Sequence, residues 1–161
     1  MEDWKRVIWS DETKINRLGY DGREWVWEKT GEQLSERHVQ ETMKFCGGSL
    51  MMWGCMTDQG VGFACKIDGG MDATLYTNIL QDELLQTLDF YELNRDNIIF
   101  QQDNGPKHTS IIARKWFNDN RIQLLGWPAQ SPDLKPIEQL WQYLKRHLAT
   151  YESEPVSVHE L

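Results

Sequence analysis

Up to about residue 70 the apolar positions come in short runs or alternate with polar ones, and beyond Asp72 they recur at intervals of three and four. The first spacing suits β-strands, whose successive side chains point to opposite faces, and the second suits an amphipathic helix. KRVIWSD (5–11) predicts a short strand ending in Asp11. After a turn containing Gly19, Asp21 and Gly22, REWVWEK places Trp25 and Trp27 on one face of a half-buried strand. The apolar segment from Met43 to Met56, broken by Gly47, Gly48 and Gly54, and VGFACKI after the turn at Asp58 to Gly60 predict antiparallel strands joined by a tight hairpin. Leu75, Ile79, Leu80, Leu84, Leu85 and Leu88 form a helical stripe, with Asp72 or Thr74 near its start as cap.

IIF (98–100) then predicts a strand, 109–118 a short helix, IQLLGW a strand, and the stretch from about 134 to 150 a helix. Several strands followed by helix, strand, helix, strand and helix make an α/β chain. They predict one sheet of mixed direction covered by helices, its later strands parallel because each is reached through a helix. No internal repeat, linker or low-complexity segment interrupts this order, so residues 1–161 are expected to form a single domain.

Composition narrows the class. A chain of 161 residues with 40% hydrophobic and 26% charged content has a soluble globular balance. It has neither the roughly 20-residue apolar run of a membrane span nor the apolar h-region of a signal peptide, so cytosol or nucleus is expected. Cys46, Cys55 and Cys65 are odd in number and lack CxxC pairing, which points to small core residues and away from a disulfide framework or a zinc site. The net charge of −8 argues at first against a nucleic-acid partner. Its distribution reopens the question: residues 1–104 carry 10 basic and 19 acidic side chains, residues 105–148 carry 7 and 3, and residues 149–161 carry 0 and 3. Arg114, Lys115, Arg121, Lys145 and Arg146 in the basic stretch read either as solvated helix faces or as a DNA-contact surface.

Candidate chemistry comes from three acidic residues. In IIFQQDNGPKH (98–108), Asp103 follows a buried strand and opens Asp-Asn-Gly-Pro, strong turn chemistry in its own right. Ligands in open α/β sheets gather beyond the carboxyl ends of strands. If the strands ending in Asp11 and Asp103 are parallel neighbours, two carboxylates emerge together and repel each other unless a cation such as magnesium lies between them. The third candidate lies in SPDLKPIEQLW (131–141), where Asp133 reads as a helix N-cap and Pro136 sits in the first turn. Ile137, Leu140, Trp141, Leu144 and Leu148 fall on one stripe, and Glu138 lies about 100° from its centre, at the border from which it reaches toward the sheet edge. Its plainer reading is an exposed first-turn Glu favoured by the helix dipole. Lys107 and His108 stand where they could position a phosphate or shuttle protons, or simply cap and face solvent, and Lys145 lies nearly above Glu138 on the helix.

Trp9, Trp25, Trp27, Trp53, Trp116, Trp127 and Trp141 mostly fall on apolar faces and are expected in cores. Trp127, in the loop before Pro128, is the candidate exception, and Trp141 is expected to anchor the helix that carries Glu138.

WSDE (9–12), QQDNGPKH (101–108) and SPDLKPIEQLW (131–141) resemble, in order and spacing, the three signature blocks of the mariner superfamily of DDE transposases. The 34 residues between Asp103 and Glu138 match one large branch of that superfamily, and the resemblance includes the Trp-Gly of the strand at 51–54. It implies a ribonuclease H-like mixed five-stranded sheet, three antiparallel strands then parallel strands, flanked by helices. It also implies two Mg2+ or Mn2+ ions and a catalytic, metal-binding triad of Asp11, Asp103 and Glu138. The implied reaction is cleavage at transposon ends followed by strand transfer into target DNA at TA dinucleotides, in the nucleus. DNA is the implied partner, with Lys107, His108, Lys135 and Lys145 as phosphate-facing candidates and a homodimer on paired ends. No membrane and no small-molecule cofactor are implied.

Lys135 and Gln139 stand where Asn is common in relatives, and a Lys beside Glu138 alters the local field. Relatives carry an N-terminal helix-turn-helix region and more C-terminal helix, so this chain is expected to be a catalytic core, a fragment or a gene remnant. The intact triad favours an enzyme; the short ends favour a non-catalytic DNA- or protein-binding descendant. A ribonuclease acting on RNA–DNA hybrids would share the fold and metals but not these blocks.

Overall fold

The computed structural model describes residues 3–16, 48–128 and 134–150. The strand expected at 23–29, with Trp25 and Trp27, lies outside them, as do Cys46 and the cap Asp133. Strand β1 (Val7–Asn16) pairs antiparallel with β2 (Ser49–Met56), and β2 pairs antiparallel with β3 (Val61–Ile67). On its other side β1 runs parallel to β4 (Ile99–Gln101), which runs parallel to β5 (Gln123–Leu124). The order is β3-β2-β1-β4-β5: three antiparallel strands and then parallel ones, as the element order predicts. Among the described residues no helix is long and apolar enough to cross a membrane.

The helical stripe after Asp72 is one continuous run: α1 (Ala73–Ile79), a π turn (Leu80–Leu84) and α2 (Leu85–Phe90). Asp72 caps it by accepting the Leu75 N–H at 2.8 Å. The apolar spacing gave no sign of the π turn. Helix α3 (Ile111–Asp119) starts two residues later than expected, because the Ser110 hydroxyl accepts the Ala113 N–H and so defines the cap. Helix α4 (Pro136–Leu148) begins with proline, as the sequence suggests, and Lys135 occupies its N-cap position. β5 is a two-residue edge strand, shorter than the run IQLLGW implies, and both its residues are exposed.

The sheet separates two apolar clusters. On one face Ile8, Trp53, Cys55 and Phe100 pack under the long helical run and α3. On the other, Val7 and Trp9 pack against Ile137 and Trp141 of α4, with Leu140, Leu144 and Trp127 at the margin. Leu148 is half-buried like Leu140 and Leu144, but the residues that pack on this cluster come from the first two and a half turns of α4. The alternation of Val7, Ile8 and Trp9 between these clusters is the period of two written directly into packing. Cys55 is buried as expected, and Cys65 is half-buried against the same cluster.

Candidate active site

Asp11 does not end its strand. β1 continues to Asn16 because residues 9–16 stay paired with 49–56 of β2. The parallel ladder with β4 stops at Trp9 opposite Gln101, however, so on that side Asp11 already lies beyond paired backbone. Asp103 leaves the carboxyl end of β4 two residues after Gln101. The two aspartates therefore emerge at the same sheet edge, as the topological argument requires, although one sits in mid-strand.

The helix carrying Glu138 is set by a close approach. Gly54 is the partner of Asp11 in the β1–β2 register, and a Cβ built on it would lie 2.7 Å from the Trp141 ring. Any side chain at 54 would push α4 away from the sheet. Glycine there lets Trp141, 5% exposed, lie over the sheet directly beside Asp11. One turn earlier on the same helix, Glu138 is half-buried, and its negative charge is felt by Asp11. Trp127 is not free to stack on a ligand: it packs edge-on against Trp9 with centroids 5.4 Å apart, and its carbonyl accepts the Asn104 side-chain amide at 2.8 Å. Trp4, which the sequence reading passed over, is exposed and stacks on Trp9 with ring centroids 5.8 Å apart.

Burial pushes the Asp11 carboxyl up to about 6; the Lys135 ammonium opposes that shift, while Glu138, Asp103 and Glu12 reinforce it. This is the signature of like charges gathered where water is scarce. Lys135 enters the same space. Its Nζ is 3.4 Å from Asp11 Oδ1 and also pairs closely with Asp103 Oδ1, and its side chain is 4% exposed. Burial works against the ammonium, but hydrogen bonds and charge from Asp103 and Asp11 hold its pKa above that of an ordinary lysine. Among the described residues, no three acidic, imidazole or thiol groups stand close enough to form a finished metal cage.

Glu12, the next residue in the strand, points to the opposite face. There its Oε1 meets His108 Nε2 at 3.0 Å and its Oε2 meets Lys107 Nζ at 3.2 Å. Burial alone would raise this carboxyl, but the hydrogen bond and charge of His108, together with Lys107, hold it below the usual range. His108 is 4% exposed and lies edge-on to Tyr76, with centroids 4.6 Å apart. The Tyr76 hydroxyl donates to Gln102 at 2.6 Å, and the Gln102 amide donates to the His108 carbonyl at 3.1 Å. Thus the residues flanking Asp103 on either side are tied to β1 and α1. The sequence reading missed Glu12, Gln102 and Tyr76; the period of two around Asp11 was the available signal for Glu12. Lys145 lies in the basic last turn of α4 with Arg146 and His147, about two turns from Glu138.

The sequence matches the DDE superfamily endonuclease family over residues 6–159. The Tc1 transposase of Caenorhabditis elegans is 43% identical over 147 residues, covering 91% of this chain and 53% of that protein. The Tcb1 transposase of Caenorhabditis briggsae is 42% identical over 150 residues, with the same coverage of 91% and 53%. The chain thus spans about half the length of the curated relatives it matches. Among solved structures, the Mos1 transposase paired-end complex with left transposon end superposes with a TM-score of 0.74 at 21% identity, covering 97% of this chain and 45% of that one. The catalytic domain of Mos1 mariner transposase gives 0.65 at 20% identity, covering 95% and 65%. These likenesses establish the ribonuclease H-like α/β fold that the three sequence blocks implied. Taken with the match over residues 6–159 and the identity to the Tc1 transposase, they place this chain in the DDE superfamily of endonucleases.

Proposed function

We propose that this domain is the catalytic core of a DNA transposase, cleaving strands at transposon ends and joining the freed ends to target DNA, with Asp11, Asp103 and Glu138 as its catalytic carboxylates. What supports the reading is that Asp11 and Asp103, from different strands, lie against the same Lys135 ammonium, and that the charge of Glu138 on α4 adds to the load on the Asp11 carboxyl. Carboxylate oxygens are the donors a hard cation takes, and the mutual repulsion that burdens Asp11 is what such a cation relieves. Asp11 and Asp103 would hold Mg2+ or Mn2+ from the sheet edge and Glu138 from α4. A pair of such ions held there would supply activation of a water or hydroxyl and stabilisation of the leaving oxygen in an in-line phosphoryl transfer.

The remaining residues have positioning tasks. Glu12, Lys107 and His108 hold the turn that carries Asp103, and Trp141 seated over Gly54 sets how far Glu138 reaches. His108, buried against Tyr76 and Glu12, serves the turn and does not shuttle protons to substrate. Lys107, partly exposed, and the basic last turn of α4 with Lys145 are the phosphate-facing groups. The proposal includes DNA as partner, a homodimer on paired ends and action in the nucleus. It treats residues 1–161 as a single catalytic domain, with end recognition by a helix-turn-helix region outside it. The convergent carboxylates favour this reading over a non-catalytic binding module, which has no use for them.

The test is Mn2+- or Mg2+-dependent nicking of supercoiled plasmid and labelled duplex DNA by the purified chain. The proposal expects metal-dependent nicks that Asp103→Asn and Glu138→Gln reduce at least about a hundredfold. Equal nicking by the wild type and Asp103→Asn would remove it.

A further inference from the structure

Lys135 is the most enclosed charged side chain at the carboxylate cluster, and the proposed chemistry gives it no task. Its ammonium lies against Oδ1 of both Asp11 and Asp103, with 4% of the side chain exposed. Nothing local favours a lysine there. Lys135 occupies the N-cap of α4 and makes no side-chain cap bond, and a cation at a helix N-terminus is opposed by the helix dipole. Among the described residues, the two aspartates are what compensate its burial. The backbone is arranged to aim the stem: Pro136 disfavours the helical conformation for residue 135, which is extended at φ −93° and ψ 114°. The Lys135 carbonyl meanwhile accepts the Glu138 N–H at 3.2 Å, so the four-carbon stem can swing away without unwinding the helix.

We propose that the Lys135 ammonium is the resident counter-ion of the metal-free site, bridging Asp11 and Asp103, and that a divalent ion binds these carboxylates only by displacing it. The inference rests on the reading of Asp11 and Asp103 as metal ligands. Its physical basis is that an ammonium and a divalent cation seek the same oxygens and repel each other at ion-pair distance. In the metal-free protein Lys135 therefore acts as a positioning residue: it holds two repelling carboxylates at one edge, ready for the ion, and lowers the affinity with which that ion is taken up. A purely structural lysine would do the first and not the second.

Two measurements on the whole chain test it. In the first, Mn2+ is titrated by electron paramagnetic resonance into the wild type, Lys135→Gln and Lys135→Met. The variants should bind Mn2+ with a dissociation constant lowered by about tenfold or more, and in EDTA they should melt a few degrees below the wild type. In the second, which needs no variant, wild-type lysines are acylated and mapped by mass spectrometry with and without saturating Mn2+. Lys135 labelling should be low without the metal and rise several-fold with it, while exposed Lys115 stays constant. Mn2+ bound with equal affinity by all three proteins, or Lys135 still protected at saturating Mn2+, overturns the displacement and leaves the metal-ligand reading standing. Absence of Mn2+ binding in both the wild type and the variants removes the metal-ligand reading and this inference with it. If the variants do not fold, the labelling result decides alone.

Discussion

Asp11 and Glu12 are neighbours in one strand, yet burial pushes the first up to about 6 while ion pairing and a hydrogen bond hold the second below its ordinary value. The pleat turns them to opposite faces, and each face supplies different company. Glu12 has two partners of its own, His108 and Lys107. Asp11 shares one ammonium with Asp103 and has Glu138 nearby as well. A satisfied carboxylate fastens structure; an under-compensated one stores the electrostatic demand that a metal ion answers. Both are carboxylates; the surroundings that β4, α1 and α4 build on the two faces distinguish them.

The largest effect that can break this comparison is on activity. Asp11→Asn should lower metal-dependent nicking at least about a thousandfold. Glu12→Gln, which keeps the shape and a hydrogen bond to His108, should lower it by about tenfold at most. Equal losses in the two variants, measured on the same plasmid substrate, would abolish the distinction between ligand and fastener.

Next in size is the helix anchor. Trp141→Ala should cost about 3–5 kcal/mol of stability, as truncations of buried Trp do, and should depress metal-dependent nicking at temperatures where the variant is still folded. Unchanged melting together with unchanged nicking would show that α4 is positioned by something other than the contact over Gly54.

The pH dependence of stability separates the two carboxylates more finely. The folded-state pKa of Asp11, about 6, lies above its ordinary 3.8, so its contribution is fully present below the lower value and is lost as pH rises through the upper one. Metal-free protein should therefore lose on the order of 2 kcal/mol between about pH 4 and pH 6, a fall that Asp11→Asn removes. Glu12 has the opposite sign: its folded pKa is below the ordinary 4.5, so its contribution is present above that value and fades as pH falls through the lowered one. Glu12→Gln should remove this acid-side dependence. Denaturant melts in EDTA from pH 3 to 8 on the two variants read both limbs; identical profiles would mean that the two environments do not differ.

Much of the fold was legible because strand order follows from which connections are hairpins and which are helices. The hairpin between β2 and β3 and the helical crossovers before β4 and β5 force an antiparallel half and a parallel half. The stripe Ile137, Leu140, Trp141, Leu144 placed α4 correctly, because its apolar face covers Val7 and Trp9 of the sheet. The extension of β1 past Asp11 was not legible: its pairing with β2 depends on a partner more than thirty residues away in sequence, and local turn chemistry after Asp11 says nothing of it. Nor was the role of Lys135, since an ion pair across 124 residues leaves no trace in local spacing. The pairing of Glu12 with His108, 96 residues apart, escaped for the same reason, although alternation about Asp11 was a signal that Glu12 faces away from it.

The central claim is that Asp11, Asp103 and Glu138 share divalent ions. Anomalous difference density from crystals of the chain grown with Mn2+ tests it most directly. The account predicts metal density bonded to oxygens of all three side chains, with the Lys135 ammonium moved out from between the aspartates. Manganese bound elsewhere, or ligated while any one of the three carboxylates points away from it, would contradict the account.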